Sequence, residues 1–179
     1  SSSSSSSSRC PGGIDQAEVK DFLDSHNRLR SSISAGTYVA KGKKMPAAKT
    51  PIPAMTWDCE IEKSAQKAAS TCIWAHSKDR DNLGENLFTI SGYQVETRGM
   101  GNMSSAAWEY EFQKYGWSDI KLTYDAFNTG IGHATQMAWA TSTKLGCGIG
   151  ICDGGNRLIV NCQYRDAGNM IDANVYEPK

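Results

Sequence analysis

The sequence has no excess of either charge sign, no long apolar run and no CxxC motif. Its 179 residues carry 19 Lys and Arg against 19 Asp and Glu, so it lacks the basic excess of a nucleic-acid-binding domain. No segment reaches the roughly 18 consecutive apolar residues that a membrane-spanning helix needs. Five Trp, seven Tyr and four Phe supply a core, which argues against a disordered chain. These features favour a single globular domain.

A serine run opens the sequence and offers no apolar side chain to a core. We expect residues 1–9 to form a disordered Ser-rich segment and residues 10–179 to form one domain. No signal-peptide pattern precedes that domain, so we expect the sequence to be a processed, mature form.

The cysteine count indicates the compartment. The six cysteines are Cys10, Cys59, Cys72, Cys147, Cys152 and Cys162. A zinc ribbon would need two CxxC-type pairs, which are absent. We therefore predict three disulfides and an oxidising, extracytoplasmic compartment, the alternative being six buried thiols in a cytosolic protein. The sequon at Asn102 (Asn-Met-Ser) predicts an N-glycosylation site, which suits a secreted protein.

Periodic patterns predict four helices and a hairpin. Helices are expected at residues 16–32, after Asp58, after Ser104 and Ser105, and at about residues 133–141. Residues 87–91 look like a strand, and residues 145–152 and 157–165 alternate with period two around a turn. If Cys152 pairs with Arg157 across that turn, Cys147 lies opposite Cys162 within disulfide reach.

The same register has a consequence for layering. It places Gly146, Gly148 and Gly150 on one face of the hairpin, where a helix or another backbone can approach closely. Helices that are separate from an antiparallel sheet in the sequence predict an α+β fold with helices packed on that sheet.

Three histidines and a few acids are the candidates for chemistry. His26 lies on the apolar stripe of the first helix, and we predict that it is structural. His76 follows the second helix, either continuing its buried side or lying just beyond its end. Glu111 shares the face of Trp108 in the third helix, so it must be paired, ligated or beside a polar cavity.

Four motifs lie far apart along the chain. They are residues 26–30 (HNRLR), 84–87 (GENL), 132–139 (GHATQMAW) and 161–165 (NCQYR) with GNM at 168–170. Together they resemble the CAP superfamily, the SCP-like or pathogenesis-related-1-like secreted proteins. The stretch from Pro46 to Asp58 further resembles the activation-associated, hookworm-type secreted proteins of nematodes.

The resemblance implies a disulfide-stapled, three-layer α–β–α sandwich with a central antiparallel sheet. It implies a central cleft lined by His76, Glu85, Glu111 and His133, with His76 and His133 able to bind Zn²⁺ or another divalent cation. A hydrogen-bonded polar cluster without metal is the alternative for that cleft. The implied disulfides are Cys72–Cys152 and Cys147–Cys162, which leaves Cys10–Cys59.

For function, the resemblance implies a secreted, non-enzymatic effector of a parasitic nematode that acts on host proteins or receptors, as a monomer or weak homodimer. A carrier of sterol or fatty acid is the first alternative. A metal-assisted hydrolase is the second, although the HExxH and GxSxG motifs are absent. We assign no catalytic residue.

Overall fold

The computed structural model describes residue 10 and residues 14–76, 82–116 and 120–179; the expected disordered segment at residues 1–9 lies outside them. The helices are α1 (Gln16–Ala35), α2 (Cys59–Ser70), α3 (Met100–Tyr115), α4 (Tyr124–Ala126) and α5 (Gly132–Ala138), with a π-helical turn, Phe127–Ile131, before α5. The strands are β1 (Val39–Ala40), β2 (Lys43–Lys44), β3 (Thr56–Trp57), β4 (Gly84–Ser91), β5 (Lys121–Leu122), β6 (Lys144–Cys152), β7 (Arg157–Arg165) and β8 (Ala173–Asn174).

The β6–β7 hairpin is the centre of the sheet, and its predicted register is confirmed. Cys152 pairs with Arg157 and Cys147 with Cys162. The main sheet has the order β3-β6-β7-β4, in which β4 and β6 both run antiparallel to β7. The two-residue strand β3 adds a short parallel edge beside β6.

Helices cover both faces of this sheet, which confirms the predicted sandwich. One face carries the apolar side chains of β6 and β7, and these form a single core with residues of α1, α3 and α5. The opposite face carries the glycines of β6, and α2 lies directly on it. A Cβ atom at Gly148 would collide with the backbone of Gln66, and one at Gly150 with the carbonyl of Ala69.

The structure contains the three disulfides that the resemblance implies. They are Cys10–Cys59, Cys72–Cys152 and Cys147–Cys162.

Among the described residues, no helix combines the length and apolar character needed to cross a membrane.

Helix α3 begins earlier than expected. Ser104 and Ser105 lie buried inside it instead of preceding it. The buried Glu18 of α1 accepts hydrogen bonds from the backbone amides of Gly99 (3.0 Å) and Gly101 (2.8 Å). This carboxylate satisfies free amides at the start of α3 and favours its positive end. The cap comes from a distant part of the chain, so no local pattern could have indicated it.

The last predicted helix ends early, at Ala138 instead of residue 141. The guanidinium of Arg30, which is buried, donates to the carbonyls of Met137 and Trp139, both at 2.9 Å. These bonds satisfy carbonyls at the helix end, and the cation complements the negative end of the helix dipole. Burial lowers the pKa of Arg30 to about 10, so it stays charged at neutral pH.

His26 is the structural histidine that the sequence predicts. Its Nδ1 lies 2.7 Å from the carbonyl of Phe22 and its Nε2 lies 2.7 Å from the hydroxyl of Tyr164. Since a carbonyl only accepts, Nδ1 carries the proton and the Tyr164 hydroxyl donates to Nε2. Complete burial lowers the pKa of His26 to about 4.

We expect Gly148→Ala to lower the free energy of unfolding by about 2 kcal/mol or more, because α2 would have to move away from the sheet. Gly92→Ala is the matched control, since its Cβ would meet only Val95 at an ordinary 3.9 Å. That variant should stay within about 0.5 kcal/mol of the parent in urea denaturation. Equal effects of the two substitutions would contradict the close packing of α2.

We expect acidification to weaken the fold through His26. Its pKa is about 4 in the folded protein and about 6.5 in the unfolded chain, so the unfolded chain binds more protons between these values. Stability that is complete above pH 6.5 should fall by about 3 kcal/mol by pH 4. Urea denaturation across this range should show a smaller loss for His26→Gln, even if that variant is less stable at neutral pH. An unchanged slope would contradict this assignment.

Candidate functional site

The four side chains predicted for the cleft form two imidazole–carboxylate pairs. His76 Nδ1 lies 2.8 Å from Glu85 Oε1. His133 Nδ1 lies 2.8 Å from Glu111 Oε2. The two pairs use the same ring nitrogen and the same kind of acceptor.

The two pairs approach the edge strand β4 from opposite faces of the sheet. Glu85 is in register with Gln163 and Gly146, so its side chain lies on the α2 face. The next residue, Asn86, points to the other face and donates to the carbonyl of His133 at 3.1 Å. The start of β4 is therefore where the two halves of the site meet.

A cavity of about 400 Å³ opens at this position. It is lined by His76, Leu83, Gly84, Glu85, Asn86, Phe127, Gly130, Gly132, His133, Gln136, Ala167, Gly168 and Asn169. Three of the four predicted side chains line it directly. Glu111 acts on it through the imidazole of His133.

Glu85 is held by more than its histidine. Its side chain has no solvent exposure, and Oε2 accepts from Asn161 Nδ2 at 2.8 Å and from Gln163 Nε2 at 3.1 Å. These donors orient the carboxylate and offset the cost of burying it. The side-chain amides of Asn161 and Gln163 in β7 thereby fix the position of the Glu85 carboxylate, which in turn binds His76.

His133 is fixed by two further contacts. Glu111, besides holding its Nδ1, accepts from the backbone amide of Ala134 at 3.1 Å. The ring of Trp108 lies nearly parallel to the imidazole, with 6.2 Å between centroids. Trp108 is itself held by a hydrogen bond from Nε1 to the carbonyl of Leu87.

The pairing determines the histidine tautomers. A carboxylate accepts and does not donate, so the proton of each neutral imidazole lies on Nδ1 and the lone pair on Nε2. The side chain of His76 is 58% exposed and that of His133 is 35% exposed. Both rings are therefore reachable from solvent with a defined nitrogen as acceptor.

This donor set fits a cation held by two imidazoles. A carboxylate that orients a metal-binding histidine through its other nitrogen is a common arrangement around zinc. Within the described ranges, no group of three or more His, Cys, Asp and Glu side chains is placed to hold a metal ion.

One of the two positions expected for His76 is confirmed, and one part of the site was missed. Helix α2 ends at Ser70, so His76 lies just beyond its end and not on its buried side. The supporting role of Asn161 and Gln163 was missed. Their spacing on either side of the buried Cys162, two amides at period two, is the signal that indicates a polar partner on that face.

Known proteins show the family of this chain. The model of the cysteine-rich secretory protein (CAP) family matches residues 23–164. The chain belongs to the CAP family. The matched region contains all four residues of the cleft pairs.

Several CAP proteins are similar over nearly the whole chain. The Ancylostoma secreted protein of Ancylostoma caninum is 33% identical over 177 residues, which cover 94% of this chain and 41% of that protein. Peptidase inhibitor 16 of Bos taurus is 28% identical, over 93% of this chain and 33% of that protein. This CAP chain thus spans less than half the length of these two relatives.

Solved CAP structures superpose well on this one. The crystal structure of NaASP2 with Zn²⁺ has a TM-score of 0.88 and 37% identity, covering 96% of this chain and 91% of that one. BmVAL-1 has a TM-score of 0.89 and 35% identity, covering 96% and 88%.

We expect nitrogen-15 NMR, under conditions in which both imidazoles are neutral, to show the Nδ1–H tautomer for His76 and His133. The carboxylates fix this tautomer, so Glu111→Ala should release His133 while leaving His76 unchanged. Glu109→Ala is the matched control, because Glu109 lies on the same helix and accepts from the Tyr38 hydroxyl instead. An Nε2–H signal for His133 in the parent protein would contradict the pairing.

Proposed function

We propose that this CAP chain is a secreted, non-enzymatic effector of a parasitic nematode that acts on host proteins through its surface, and that its cleft binds a divalent cation such as Zn²⁺. The observation that carries the cation site is the pairing of both histidines through Nδ1. Both histidines line one cavity, and a carboxylate bound to Nδ1 leaves the Nε2 lone pair of each ring available.

Secretion is supported by the disulfides and by the relatives. The protein has three disulfides, and disulfides form and persist in oxidising compartments. The similar proteins include a secreted protein of Ancylostoma caninum and a venom allergen of Solenopsis invicta. An effector role outside the producing cell agrees with both observations.

Zn²⁺ is the cation that this donor set favours. Neutral imidazole is a good zinc ligand, and Glu85 and Glu111 supply the outer hydrogen bonds that usually accompany it. The similar NaASP2 was crystallised with Zn²⁺. Two protein ligands are fewer than the three or four of most zinc sites, so we propose a reversible site instead of a permanent structural one.

The chemistry of the cleft supports a binding role more than the two alternatives. All six cysteines are in disulfides, so no thiol nucleophile is present. Leu83 and Phe127 are the large apolar side chains of a lining whose other members are two His, one Glu, two Asn and one Gln, together with four glycines and Ala167. Such a lining suits an ion and its waters better than a sterol or fatty acid.

We expect calorimetric titration of the metal-free protein to show one Zn²⁺ bound per chain at pH 7. His76→Ala and His133→Ala should each abolish this binding, and Glu85→Gln should weaken it about 10- to 100-fold, the usual cost of losing an outer hydrogen-bond partner. The affinity should fall on acidification, because protons compete for Nε2.

Phe127→Ala is the matched control, since it changes the same cavity without removing a donor, and it should bind Zn²⁺ like the parent. Binding that survives the double His→Ala substitution would place the ion elsewhere and contradict the proposal. Ester or peptide hydrolysis by the zinc-loaded parent that is lost in the double variant would instead establish the hydrolase.

A further inference from the structure

The outer face of the N-terminal part of α3, as far as Tyr110, is unusually apolar for a helix that faces solvent. The exposed residues between its start and Tyr110 are Asn102, Met103, Ala106, Ala107 and Tyr110, with Met103 48% and Tyr110 60% exposed, whereas the last turn exposes the polar Gln113 and Lys114. Residues 100–108 contain no Asp, Glu, Lys or Arg. Surface helices usually carry charged side chains on this face, and a continuous exposed apolar patch commonly has something that covers it.

Asn102 is placed at the edge of that face. Successive residues of a helix are about 100° apart, so Ala106 lies one turn beyond Asn102 and Tyr110 two turns beyond it, on the same side. The eight residue-to-residue steps from Asn102 to Tyr110 correspond to about 12 Å along the axis. The first few sugars of a chain attached to Asn102 would span that distance.

The third residue of the sequon is in a different environment. Ser104 is fully buried, and its hydroxyl donates to the carbonyl of Met100 at 2.7 Å. An enzyme that reads Asn-x-Ser must reach this hydroxyl as well as the asparagine amide. In the folded helix the amide is exposed but the hydroxyl is not.

We propose that Asn102 carries an N-linked glycan, that it is attached before α3 folds, and that it covers the outer face of α3. The Nδ2 atom of Asn102 forms a bond to C1 of an oligosaccharide supplied as a lipid-linked pyrophosphate. The bond from C1 to the pyrophosphate oxygen breaks, the lipid pyrophosphate leaves, and the amide loses one proton. This inference rests on the secretory route proposed above.

A glycan fits this face for two physical reasons. Sugar rings present C–H groups that pack on an aromatic ring such as Tyr110 and on the side chain of Met103, while their hydroxyl groups stay in water. The face carries no charge between Asn102 and Ala107, so no ion is desolvated by the contact.

The attachment is tested by secreting the chain, behind a signal sequence, from eukaryotic cells. The parent should lose mass on treatment with peptide N-glycosidase. Asn102→Gln and Ser104→Ala should show no such loss, and Ser104→Ala is the sharper variant because it keeps the asparagine. A secreted, folded parent without glycan would overturn this inference and leave the secretory route intact, whereas failure to be exported would contradict the route itself.

The timing is tested with a microsomal oligosaccharyl-transfer assay on unmodified protein. The reduced, unfolded chain should accept the oligosaccharide, and the disulfide-bonded, folded chain should not. Equal modification of both forms would show that the buried Ser104 hydroxyl does not restrict the enzyme, and would overturn attachment before folding.

The covering is tested by the oxidation rates of two methionines. Met103 is 48% exposed and Met170, in a different part of the chain, is 53% exposed, so peroxide should oxidise them at similar rates in the bare protein. In the glycosylated protein the rate at Met103 should fall several-fold relative to Met170, and enzymatic removal of the glycan should restore it. An unchanged ratio would show that the glycan extends away from α3 and would overturn the covering.

Discussion

The pairing of Cys147 with Cys162 is the constraint on which the rest of this structure depends. Because strand side chains alternate, a slip of one residue would exchange the two faces of the sheet. The observed register gives α2 the glycine face on which it can lie, and it gives the core the side chains of Leu145 and Tyr164. The same register sends Asn161 and Gln163 to the side of Glu85, so half of the cleft follows from it.

The other half of the cleft is connected to the core by hydrogen bonds. Tyr164 donates to His26, and Asn86 donates both to the Tyr164 hydroxyl and to the carbonyl of His133. The side chains of His26, Asn86 and Tyr164 are buried, so removing the partner of any one of them would lower the stability of the protein. The position of His133 is thus linked, through this chain of hydrogen bonds, to the packing of α1 against the sheet.

Sequence reasoning succeeded where the determinants are local and failed where they are distant. The alternation of side chains was sufficient to predict β6 and β7, and the N-terminal cap at Asp58 was sufficient to predict the start of α2. The start of α3 depends on Glu18, more than 80 residues earlier, which no periodicity reports. The contact between His76 and Glu85 likewise depends on the three-dimensional fold. Only the resemblance to the CAP superfamily predicted from the sequence that these two side chains share a cleft.

The Cys72–Cys152 disulfide has a consequence for where the cleft can exist. It anchors the loop that leaves α2, four residues before His76, and Arg157 reinforces the anchor by donating to the carbonyl of Cys72 at 2.8 Å. His133, by contrast, is held by helices that need no sulfur bridge. Reduction of this bridge would therefore free the His76 side of the cleft from its covalent anchor and leave the His133 side in place.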